Sequence, residues 1–151
     1  MLIKKVLLYF VPFLLSVQAF AQRTAEPVEN KSNKIIVVFP DTISSEQIYL
    51  EVGRALVQQG FNIDSREQPF GLLMANIDLN KNDVITTDTL YLRVTVIGHE
   101  VAITGNYNLY GYMNRLKYSS KGNREGVRWD KAMKVFDKLP AVRMEYEFVQ
   151  L

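Results

Sequence analysis

Residues able to do chemistry are few in this chain and lie far apart. His99 is the sole histidine, cysteine is absent, and no serine or cysteine partner stands near His99. General acid–base work needs such a partner within hydrogen-bond reach and a substrate cleft. His99 instead follows Gly98 in a turn signal, which makes it a solvated turn residue. Residues 78–82, Asp-Leu-Asn-Lys-Asn, imitate the alternating oxygen ligands that open a calcium loop. The imitation fails at Asp83, where a sharp turn wants glycine, and at Thr89, where a bidentate glutamate would complete the shell. An Asx-rich turn is the simpler reading, and neither a metal nor a cofactor is expected. Asp64, Glu67 and Glu100 remain as acids for a hydrolase acting on an envelope polymer, but nothing in their spacing makes them converge.

Binding chemistry is better represented than catalytic chemistry. Tyr107, Tyr110, Tyr112 and Tyr118 lie among Asn106, Asn108, Asn114, Arg115 and Lys117, a composition suited to stacking on and hydrogen bonding to glycans, peptides or exposed bases. Tyr91 and Arg93 add a polar, aromatic strand face, so the candidate binding residues are Tyr91, Arg93, Tyr107, Tyr110, Tyr112 and Arg115. No RNA-binding aromatic signature or glycine-rich phosphate loop accompanies them. Arg124, Arg128, Lys131, Lys134 and Lys138 fall on the side of a second helix away from Trp129 and Phe136, where they read as a solvated basic face.

Residues 1–21 read as a secretory signal: Lys4 and Lys5, an apolar run over 6–17, and Ala19-Phe20-Ala21 before a cut after Ala21. Pro12, Ser16 and Gln18 interrupt the run and argue against a membrane span. The remaining 130 of 151 residues suffice for one domain with its own core. Without cysteine there is no disulfide framework, thiol nucleophile, cysteine-ligated zinc or acylated lipoprotein anchor. The expectation is a periplasmic or secreted protein with no stable membrane anchor after cleavage. Lys4 and Lys5 account for two of the 18 basic residues, so the mature chain has 16 basic and 16 acidic groups. That balance argues against a nucleic-acid partner, which selects for positive excess. The charge is nonetheless split, with 4 basic against 9 acidic residues over 35–110 and 8 against 3 over 111–138.

The elements follow from periodicity and punctuation. Residues 22–33 are polar and aperiodic and read as a flexible linker, with a single domain over 34–151. Residues 34–39 form a buried strand ended by Pro40. Ser44 and Gln47 make a capping box, Ile43 and Ile48 a hydrophobic staple, and Gly60 a left-handed stop for the first helix. Residues 61–65 and 72–75 form a hairpin about Pro69-Phe70-Gly71. Gly98-His99 fits a type II′ turn, which fixes a register: Val96 opposite Val101, Val94 opposite Ile103, Leu92 opposite Gly105 and Leu90 opposite Tyr107. Thr95, Arg93 and Tyr91 then share the other face. Asn123 caps a second helix running to about Lys138, Pro140 stops it, and residues 142–148 alternate as a last strand. The sum is an α+β fold: an antiparallel-dominated sheet with two helices packed on one face, in the order β-α-β-β-β-β-α-β.

Over residues 34–148, with the capped helix ending at Gly60-Phe61, Asp64 and Gly71 around a hairpin, and a helix led by Trp129, the chain resembles small exported domains of unknown function from Gram-negative envelopes, of TBP-like or helix-grip-like fold. The resemblance implies fold and compartment, and no catalytic motif. The function expected is a non-catalytic interaction module whose partner is a protein, peptide or glycan of the cell envelope. The alternatives are a small-ligand carrier, with room left by Gly105 between sheet and helices, and the hydrolase considered above.

Overall fold

A computed structural model of the chain describes residues 22–80, 88–120 and 122–148. The export pattern over 1–21 and most of the calcium-like stretch lie outside the described residues. Among the described residues eight strands form one antiparallel sheet: β1 (Gln22–Thr24), β2 (Lys34–Val38), β3 (Asn62–Glu67), β4 (Leu72–Asp78), β5 (Asp88–Ile97), β6 (Glu100–Leu109), β7 (Tyr112–Arg115) and β8 (Arg143–Phe148). Their spatial order is β1-β8-β2-β6-β5-β4-β3, with β7 also paired to β6. Two helices, α1 (Ser45–Gln58) and α2 (Arg124–Met133), complete the α+β fold in the order the sequence implies, with the short strands β1 and β7 added.

The β5–β6 ladder matches the expected register pair for pair, from Ile97↔Glu100 to Leu90↔Tyr107 and on to Asp88↔Leu109. Gly98 has φ 59, while His99 is absent from the residues with positive φ, as a type II′ turn requires. Period-two alternation then sends Leu90, Leu92, Val94, Val101 and Ile103 to one face, each at most 1 % exposed. Both helices cover that face: Ile48, Val52 and Leu56 of α1, and Trp129 and Ala132 of α2, join the same buried cluster.

The N-cap residues act as read at the start of each helix, though of the capping box only the Ser44 half forms. Ser44 Oγ accepts from Gln47 N at 3.2 Å, and Asn123 Oδ1 accepts from Gly126 N at 2.7 Å. Helix α2, however, ends at Met133 and not near Lys138. Beyond Lys134 the bonding tightens to three-residue turns, Phe136 N to Met133 O and Leu139 N to Phe136 O. Pro140 disfavours helical geometry at Leu139, and the tighter turns keep Val135 and Phe136 buried.

Residues 22–33 are docked, which corrects the expected flexible linker. Gln22, Arg23 and Thr24 pair with Phe148, Glu147 and Tyr146. Asn30 N bonds to Tyr118 O at 2.8 Å, Tyr118 N to Ser32 O at 2.7 Å, and Asn33 N to Glu147 O at 3.0 Å. Ser32 and Asn33 are buried. Short polar residues here satisfy backbone groups of other segments, which needs no periodicity of their own.

The room expected over Gly105 is also filled. A Cβ there would lie 2.9 Å from Leu116 Cδ2 and 3.0 Å from Leu92 Cδ2, so Leu116 occupies the space proposed for a carried ligand.

Candidate functional site

The sheet face opposite the helices is mapped by its ladders. One row across the strands reads Asn62, Asn76, Tyr91, Asn106 and Arg115; the next reads Met74, Arg93, Thr104, Lys34, Glu147 and Arg23. Tyr91, Arg93, Thr104, Asn106, Arg115 and Met74 line a shallow depression of about 520 Å3 on this face. Sequence reasoning singled out three of them, Tyr91, Arg93 and Arg115, and the fold brings those three together.

The other three candidates go elsewhere. Tyr107 is 6 % exposed and faces the helices, which corrects its place among accessible binding residues. Its ring lies 4.1 Å from the Arg128 guanidinium carbon, and its hydroxyl donates to Glu125 Oε1 at 2.9 Å. The cause is the alternation that puts it opposite Leu90. Tyr110 and Tyr112 are exposed at the β6–β7 hairpin tip, outside the depression, and Tyr110 Oη accepts from Arg124 Nη1 at 3.4 Å.

The two halves of the free face differ electrostatically. Around Ile36, itself only 1 % exposed, Glu100, Glu145 and Glu147 are all paired. Arg23 contacts the three at 3.2, 3.6 and 3.8 Å, Lys34 pairs with Glu147, and Arg143 with Glu145 at 2.7 Å. The hydrogen bond to Glu100 is the main cause that raises the Arg23 guanidinium above its ordinary value. In the other half, Arg93, Arg115 and the Tyr91 hydroxyl have no hydrogen-bond or ion-pair partner among the described residues. The depression is lined by two cations and no carboxylate.

The residues considered for catalysis are not assembled. Asp64 Oδ1 accepts from Asn76 Nδ2 at 2.5 Å on β3, whereas Glu100 is held by Arg23 on β6, three strands away. His99 Nδ1 lies 3.5 Å from Asp41 Oδ1, a side chain that is 96 % exposed. Asp78 Oδ1 caps Asn80 N at 2.9 Å, an ordinary Asx turn. Among the described residues no group of three or more His, Asp or Glu is placed to hold a metal ion.

One constellation was missed. Arg128, assigned by its charge to a solvated helix face, is 1 % exposed and forms a two-pronged ion pair with Asp88, Nε to Oδ1 and Nη2 to Oδ2, both at 2.8 Å. Glu125, Arg128, Trp129 and Ala132 share helical spacing, so the signal was present in the period and hidden by residue type. The pair ties the start of β5 to α2.

Tyr49, Tyr107 and Tyr146 all hold their phenol protons above the ordinary value, chiefly through burial, with the Glu125 hydrogen bond adding at Tyr107. The folded state therefore binds these protons more tightly than the unfolded chain. Their stabilisation is complete below about pH 10 and is lost as pH rises through the raised folded values. Urea midpoints are expected to fall on that alkaline side, with tyrosinate absorbance lagging behind an unfolded control. Ionisation of every tyrosine at the ordinary value would contradict this.

No protein-family model matches the chain, and no match was found among curated proteins.

Proposed function

We propose that this chain is an exported, non-catalytic binding module that engages a component of the cell envelope through the free sheet face at Tyr91, Arg93 and Arg115. One observation carries the reading: two arginines and a tyrosine hydroxyl without partners among the described residues converge on one depression, while Glu100, Glu145 and Glu147 of the neighbouring half are all engaged. An arginine left unneutralised on a rigid sheet is a preorganised donor. The export pattern of residues 4–21 supports the compartment, and the separation of Asp64 from Glu100 favours binding over hydrolysis.

The test compares the unaltered protein with Arg93→Glu/Arg115→Glu as bait in an extract of the source envelope. The double variant should keep its melting temperature, since neither side chain is buried. A component retained by the unaltered protein and lost by the variant is the expected result. Identical recovery on both baits would remove this face as the contact surface.

A further inference from the structure

We infer that the free face binds a saccharide chain bearing carboxylate groups, an assignment that rests on that face being the contact surface. The charge argument comes first. Arg93 and Arg115 flank β6, displaced by two residues along it, since Arg93 pairs with Thr104 and Arg115 with Asn106. Strand spacing and rise place their Cα atoms about 12 Å apart. Two flexible side chains at that separation can close on acidic groups of successive units of a chain. Each guanidinium offers a planar fork that fits a carboxylate with two parallel hydrogen bonds. The acids nearest along the sheet do not compete, because Glu147 is held by Lys34 and Arg23, and Asp64 by Asn76.

The groups between the arginines select the class of ligand. Tyr91 presents a ring for stacking and a hydroxyl with no partner among the described residues. Asn106 and Thr104 add an amide and a hydroxyl that both donate and accept, as sugar hydroxyls require. Met74, Tyr91, Arg93, Thr104 and Asn106 sit on interior strands paired on both sides, and only Arg115 comes from the four-residue edge strand β7, so the depression offers no long edge for an extended peptide to join. A nucleic acid would need a continuous positive track, and here the cations adjoin a neutralised acidic half.

The probe is an oligogalacturonate, titrated into the purified protein by calorimetry and followed in amide chemical shifts. Its methyl ester and an oligoglutamate of matched charge serve as comparisons. Shifts centred on Tyr91, Arg93, Thr104, Asn106 and Arg115 are expected. Affinity should be weaker by roughly tenfold or more for the methyl ester, and for Arg93→Gln/Arg115→Gln against the acidic probe. Equal binding of the methyl ester would overturn the anionic assignment, and equal binding of oligoglutamate the saccharide assignment. Absence of shifts at this face with every probe would overturn the inference outright. If the envelope component is still lost by the charge-reversed bait in that case, the contact surface stands and only its ligand class is wrong.

Discussion

Arg128→Met is expected to destabilise the fold by about 3–5 kcal/mol, because it strands the Asp88 carboxylate without its cation in a buried position. That is a large share of the roughly 5–15 kcal/mol that holds a domain of this size together. The side chains of Arg128 and Asp88 are 1 % and 9 % exposed, so water cannot replace the lost partner. The guanidinium also covers the Tyr107 ring, and methionine keeps part of that packing while removing the charge. The double variant Asp88→Leu/Arg128→Met should recover most of the loss, since replacing both partners by apolar groups of similar size removes the stranded charge. Urea unfolding of the two variants separates the cases. A single variant within about 1 kcal/mol of the unaltered protein would show that the pair is not a buried latch.

Val94→Asp should cost several kcal/mol and prevent folding at ordinary temperatures, for it places a carboxylate at a position with no exposure, between Ile103 and Leu73. Arg93→Ala, one residue away, should change stability by no more than about 0.5 kcal/mol, because Arg93 is exposed on the other face and has no partner to lose among the described residues. Thermal melts of the two give the contrast. Comparable damage from both would mean that the β5–β6 faces are assigned the wrong way round.

That register was legible because two independent signals agreed, the Gly98-His99 turn and the strict alternation on either side of it. The N-terminal caps of both helices were legible for a similar reason: a side-chain acceptor stood where an unpaired amide needed one. What escaped was structure without a local signature. Strand β1 has three residues, too few to alternate. Strand β7 follows Tyr110-Gly111, where tyrosine at φ 52 takes a left-handed conformation that its type gives no reason to expect. Strand order was hidden as well: β2 and β3 flank α1 in sequence, yet β6, β5 and β4 lie between them. At the candidate site, alternation turns Tyr107 inward although its composition suits an accessible surface. Arg128 is the opposite case: its charge suits solvent, and its helical period places it in the core. Tyr91, Arg93 and Arg115 came together because two ladders sharing β6 aligned them, and only the first of those ladders could be read beforehand.

The place of β8 between β1 and β2 governs the order in which the sheet can close. Strands β3 to β6 are consecutive in sequence and adjacent in the sheet, whereas β1 has no neighbour among the described residues except β8. Residues 22–24, although synthesised early, therefore stay unpaired until residues 146–148 are made and set beside them. Contacts of such long sequence separation form late and make closure slow. The last strand to be made thus joins β1 to β2 and completes that end of the sheet in one step, while the β3 end closes without it.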